Sequence, residues 1–249
     1  MDGRVKPGHD ALGGVYAESS QTEQTDMINK IVDTLAEAVA GIKDGATVLC
    51  AGFGAVGAPD ELIDALREQG ARELTIVANN AGNGRTGLAG LIADGHVRKV
   101  ICSFPRSSDS TAFDDAYKAG KIELELVPQG TISERMRCAA AGLGGFYSPV
   151  GVATKLAAGK EERELGGRRY VLEAPLKGDV ALLKADRADR WGNLTYRKSA
   201  RNFNPTMAMA AELSIVQVRE IVPLGALDPE QIVTPGIFID RVVCLGEKR

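Results

Sequence analysis

The sequence predicts an α/β fold, an open and mostly parallel sheet with helices on both faces. Short β-rich runs alternate with helical segments four times in succession, the pattern of a parallel sheet covered from two sides. Two of the helices begin directly behind glycine-bearing loops. With 249 residues, 44% of them hydrophobic and spread evenly, the chain can bury the core of one large domain. Residues 1–26 lack both an apolar stretch and helical periodicity and read as a disordered N-terminal extension. Met27 immediately precedes a periodic segment and reads as the natural start, which leaves residues 27–249 as the domain.

The first element follows from Ile31, Leu35, Val39 and Ile42, whose spacing predicts one helix closed by a turn at Lys43, Asp44 and Gly45. Strands are then predicted at 47–51, 74–78, 100–103 and 122–127, each followed by a helix, at 59–68, 88–93, 111–119 and 133–141. Pro59, Asp60 and Glu61 place an imino acid and two carboxylates in a first helical turn. Thr131 and Glu134 have the spacing of a capping box. The second half is less regular, with a hairpin over 163–172 turned at Gly166 and Gly167 and strands near 180–184 and 215–218. Ligands of such sheets bind at the carboxyl ends of the strands, so the loops there are where a site is expected.

Composition removes several classes. A formal net charge of -3 gives no general attraction to nucleic acid or to an anionic membrane. No apolar run approaches the roughly 20 residues that span a bilayer. The four cysteines, Cys50, Cys102, Cys138 and Cys244, are far apart and form no C-x-x-C pair. That pattern points to reduced, mostly buried thiols in a cytoplasmic protein and away from a structural metal.

Residues 50–59, CAGFGAVGAP, contain a G-x-G-x-x-G in Gly52, Gly54 and Gly57, after a β-rich run and before a helix. A dinucleotide site would add an acid about 20 residues on, at the end of the next strand. That strand, LTIVANN, ends in Asn79 and Asn80. The glycines are equally compatible with a tight strand-to-helix turn that needs positive φ.

Asp44 to Pro59 read Asp-Gly, an apolar strand, a glycine-rich turn with Gly52-Phe53-Gly54-Ala55-Val56-Gly57, then Gly-x-Pro. This run resembles the signature of the family I CoA-transferases, departing from it at Ala51, where the pattern has glycine. Residues 79–84 (NNAGNG), 128–137 (PQGTISERMR) and 189–203 (DRWGNLTYRKSARNF) resemble the same family, specifically its A half. The likeness runs from Met27 to about Val243.

The resemblance implies the CoA-transferase fold and a transfer of coenzyme A from an acyl-CoA to a carboxylic acid, with a glutamate as the transient carrier. A carboxylate suits that task because its mixed anhydride is readily attacked by a thiolate. The nucleophilic glutamate belongs to the family's B subunit, so the resemblance implies a B partner in a heterodimer or heterotetramer. It also implies no permanently bound cofactor and no metal, the CoA thioester entering as substrate. Gln129, at a strand end before a helix, is the expected catalytic group, holding an oxyanion or positioning substrate beside the N–H of Gly130. Ala51, Gly52, Phe53, Gly54, Ala55, Val56 and Gly57 are expected to approach coenzyme A or the partner's glutamate. Asn79 and Asn80 are expected beside Gln129, either orienting the acyl group or forming an αL turn.

The run 103–110, SFPRSSDS, resembles the members of the family that act on 3-oxoadipate, with succinyl-CoA as donor in aromatic catabolism. Arg106 is expected to pair with that acid's distal carboxylate, or else with Asp109 at the surface. Acetoacetate is the alternative acceptor. Arg187, Arg190, Arg197, Lys198 and Arg201, interspersed with Asp186 and Asp189, predict a salt-bridged face or an interface between subunits rather than a nucleic-acid site. His96 reads as a surface residue. Two other classes stay open, a nicotinamide-binding dehydrogenase and a non-catalytic ligand-binding module.

Overall fold

The computed structural model describes residues 28–105 and 109–246. The expectations for residues 1–26 lie outside that range. The chain opens with β1 (Ile31–Val32) and a short helix, α1 (Leu35–Val39). The spacing that predicts one helix is divided here. Thr34 accepts the Glu37 N–H and caps α1, while Ile31 pairs with Val242 in a parallel edge strand. A capping threonine in extended conformation stops the helix from extending backwards.

The predicted alternation follows. It comprises β2 (Thr47–Cys50), α2 (Asp60–Gln69), β3 (Leu74–Val77), α3 (Gly87–Ala93), β4 (Val97–Cys102), α4 (Ala112–Lys118), β5 (Glu123–Leu126) and α5 (Gln129–Ala140). The capping box at Thr131 is not formed. α5 begins at Gln129, four residues before the predicted start and directly after Pro128 in extended conformation, so Thr131 is buried inside the helix and Glu134 pairs with Arg137. His96 is also not a surface residue. It is 6% exposed, and its Nδ1 lies 2.8 Å from the Ala71 carbonyl, which can only accept.

Next come β6 (Phe146–Ser148), β7 (Glu162–Leu165) and β8 (Arg168–Glu173), a small antiparallel sheet in the order β6-β8-β7. The predicted hairpin joins β7 to β8 through Gly166 and Gly167, with φ of +58° and +76°, the left-handed pair that a type I′ turn requires. The chain then returns to the main sheet as β9 (Gly178–Ala188), β10 (Leu194–Thr195), α6 (Asn204–Met209), β11 (Ala211–Ile221) and β12 (Arg241–Cys244).

The main sheet runs β1-β12-β11-β9-β2-β3-β4-β5, and all of these pairings are parallel. β10 folds back antiparallel on β9. Because both faces are covered, alternate residues of one strand enter different cores. Val48 and Cys50 join Leu62, Leu66, Leu91 and Phe113 beneath α1 to α4. Leu49 joins Ile132, Met136, Leu183 and Met207 beneath α5 and α6. Each such large side chain contributes roughly 1.5–3 kcal/mol on burial. Cys50, Cys102 and Cys138 are buried and Cys244 is exposed. Among the described residues no helix is long and apolar enough to cross a membrane.

Candidate active site

The carboxyl ends of β2 and β3 carry the loops that build the site. Ala51 prolongs β2, donating its N–H to Leu182 O at 3.1 Å, and its methyl group is buried in the core beneath α5 and α6. Its φ is not positive, so the backbone here has no need of the glycine that the family pattern carries. Gly52 and Gly57 do have left-handed φ, +118° and +70°. A Cβ on Gly52 would stand 3.0 Å from Ala58 Cα, and one on Gly57 only 2.4 Å from Ala200 O. Gly54, with φ +61°, has open space around it. Between them Phe53 and Val56 exchange two backbone hydrogen bonds of 3.0 and 3.2 Å, and both side chains are about half exposed.

A cavity of about 200 Å³ lies between this loop and the turn after β3. Cys50, Ala51, Gly52, Gly54, Ala55, Asp60, Asn79 and Asn80 are among its lining residues, with Asp109. Neither asparagine has positive φ, so the αL alternative for them is not realised. Asn79 accepts the Ser103 hydroxyl with both its backbone O, at 3.0 Å, and its Oδ1, at 3.1 Å. Asn80 Oδ1 accepts the Gly82 N–H at 3.0 Å, an Asx turn.

Burial favours the neutral form of two ionisable groups that line the cavity. Burial raises the Asp60 carboxyl above its ordinary value, with Lys184 opposing that and Glu61 and Asp64 adding to it. Burial also pushes the Cys50 thiol up to about 12, so it is not a thiolate nucleophile. The first turn of α2 carries Asp60 and Glu61. The Gly52 N–H is already taken by Asn202 Oδ1 at 3.2 Å. With Asn79 and Asn80 in place of a ribose-binding acid, the G-x-G-x-x-G pattern here is a turn and not a dinucleotide fingerprint.

The sequence-predicted residues are thus only partly brought together. Ala51, Gly52, Gly54, Ala55, Asn79 and Asn80 share the cavity. Phe53 and Val56 stand beside it, over a groove flanked by Lys198 and Arg201. Gly57 lines a second cavity, about 300 Å³, with Glu61, Lys184, Tyr196 and Arg197. Gln129 and Gly130 are exposed at the start of α5. They follow β5, and β4 separates β5 from β3, so Gln129 lies apart from Asn79 and Asn80. Arg106 lies outside the described residues. Arg197 and Arg201 line cavities beside the glycine loop, Asp186 pairs with Arg219, and Asp189 accepts from Trp191 and Asn193.

Asp60, Asn202 and Asn204 are residues of the site region that sequence reasoning passes over. Asp60 is visible in the sequence as a helix-start acid. The asparagines lie in and just after the run 189–203, with no spacing that announces a role.

The coenzyme A transferase family model matches residues 32–245. The chain is 61% identical to the A chain of 3-oxoadipate CoA-transferase from Pseudomonas putida, over 88% of its own length and 95% of that protein's. It is 50% identical to the corresponding chain of succinyl-CoA:3-ketoacid coenzyme A transferase from Xanthomonas campestris pv. campestris, over 83% and 85%. The fold matches the acyl-CoA transferase apoenzyme of Escherichia coli O157:H7 at a TM-score of 0.78 with 24% identity, covering 87% of this chain and 47% of that one. This chain therefore spans about half the length of that transferase. By these likenesses and by the strand and loop order that carries its glycine turn, the chain belongs to the coenzyme A transferase family.

Proposed function

We propose that this chain is the A component of a cytoplasmic heteromeric transferase that moves coenzyme A from succinyl-CoA to 3-oxoadipate. The observation that carries the acceptor is the gradient of identity, 61% to the 3-oxoadipate relative against 50% to the 3-ketoacid relative. In this reading the nucleophilic glutamate is supplied by the B subunit. That glutamate attacks the thioester carbonyl and releases CoA thiolate, leaving a succinyl anhydride. The thiolate then attacks the glutamyl carbonyl and releases succinate, and the same two steps run in reverse with 3-oxoadipate.

In this reading the chain binds and orients the acid. The cavity of about 200 Å³ suits a short dicarboxylate better than a nucleotide. Asn79 and Asn80 supply amides to it, Gln129 meets the developing oxyanion where the partner covers the carboxyl edge, and Arg106 reads the distal carboxylate.

The test is steady-state kinetics of the chain alone and combined with a 3-oxoadipate transferase B subunit. The lone chain is expected to show no turnover. The pair is expected to prefer 3-oxoadipate to acetoacetate by at least tenfold in kcat/KM, and Arg106→Ala to erode that ratio. Turnover by the lone chain would overturn the division of labour, and an equal or reversed preference would overturn the acceptor.

A further inference from the structure

We infer that Asn202 is a positioning residue, which sets the shape of the glycine loop and thereby holds the backbone N–H groups of Gly54 and Ala55 in place at the wall of the acid-binding cavity. The inference rests on the reading of that cavity given above. Asn202 lies far along the chain, after the short turn over residues 198–201, and its side chain bridges the two ends of the loop. Its Oδ1 accepts the Gly52 N–H at 3.2 Å, while its Nδ2 donates to Val56 O at 2.9 Å. The amide is itself fixed, with Oδ1 accepting Phe203 N–H at 2.7 Å and Nδ2 donating to Ser199 O at 3.1 Å.

A second asparagine secures the clamp from below. Asn204 is fully buried, donates to Gly57 O at 3.3 Å and Ala200 O at 3.0 Å, and accepts the Lys184 N–H at 2.8 Å. Together the two side chains tie the loop to β9 and to the turn before α6. The backbone then leaves a defined remainder. The N–H groups of Ala51, Gly52, Phe53 and Val56 are all engaged within the protein. Those of Gly54 and Ala55 have no partner among the described residues, and both residues line the cavity. Two adjacent free donors at a fixed turn are what a carboxylate or a developing oxyanion requires, and their value depends on being held in place beforehand.

An amide is the side chain that fits. A carboxylate at 202 would keep the acceptor toward Gly52 and lose the donor toward Val56, setting two oxygens against each other. An alanine would lose both contacts. Asn202 touches the loop and not the cavity, which makes it a positioning residue.

The experiment compares the A/B enzyme carrying Asn202→Ala or Asn202→Asp with the wild-type pair. It measures kcat and KM for succinyl-CoA and for the acceptor, assembly by size exclusion, and amide hydrogen exchange over residues 51–58. Both variants are expected to assemble. Asn202→Ala should lose on the order of 100-fold in kcat, the scale of one misplaced oxyanion donor, with each KM within about threefold of wild type, the split expected when transition-state contacts are lost. Exchange should rise in the loop and not in β2. A kcat within threefold of wild type for either assembled variant would overturn the inference, as would a rise in KM without a fall in kcat. If Asn202→Ala does not fold, Asn202→Asp decides by the same readings. An inactive wild-type pair would instead count against the function proposed above.

Discussion

Gly57 meets two demands at once, a φ of +70° and a neighbouring carbonyl 2.4 Å from the point where a Cβ would stand. Gly57→Ala is expected to lower stability by roughly 2–4 kcal/mol, the sum of a strained φ and a clash that backbone must absorb. Gly54→Ala meets only the φ demand and should cost about 1 kcal/mol. Denaturant unfolding of both variants checks the contrast, and equal losses would show that Ala200 yields. The two glycines look alike as letters because sequence shows a turn's need for φ but not which distant carbonyl presses on it. Gln129 illustrates the same limit. Its place at a strand end is legible, whereas its separation from Asn79 depends on β4 lying between, which no local pattern encodes. Gln129→Ala should lower kcat about 100-fold with little change in KM, as for other oxyanion donors; unchanged kcat in steady-state assays of the A/B pair would remove it from the mechanism.

The elements that sequence locates best are those whose stability is local. The β7–β8 hairpin carries its own turn residues, and α2 carries an apolar face of Leu62, Ile63, Ala65 and Leu66 behind the glycine turn. Periodicity merges α1 and β1 into one helix because Ile31 is placed by β12, far away in sequence, and a local pattern cannot see that partner. α5 starts early because the extended Pro128 ends the strand and leaves Gln129 to begin the first turn. On that helix and its neighbours lies a titratable link. Burial opposes ionisation of Glu125, but hydrogen bonds from Lys99 and Arg135 outweigh it and hold the carboxyl below its ordinary value of 4.5. A depressed folded value means stability that is present above 4.5 and is lost below it, as pH falls through the lower folded value. Glu125→Gln should therefore cost about 1 kcal/mol near neutral pH and nothing once wild type is protonated. Urea unfolding of both proteins across pH 3–7 would show the two curves converging, and parallel curves would refute it.

Across the whole molecule, the alternation in the first half announces a parallel sheet, and the glycine turn announces where its ligand edge lies. The strand order is not legible. β9 enters between β2 and β11, so that Val48 lies against Val180, and β1 lies against β12, Ile31 beside Val242. Those pairings are chosen by burial over the full chain rather than by any neighbouring residues. They also impose a timetable. As the polypeptide leaves the ribosome, β2 to β5 can assemble from nearby partners, but one side of β2 stays an open edge until β9 has been made. β1, among the earliest segments to emerge, has nothing to pair with until β12 arrives. Closing such long loops is the slow part of folding. The half-made chain thus carries an unsatisfied strand edge through much of its synthesis, and keeping that edge from pairing with another nascent chain is a demand that falls on the cell before the enzyme exists.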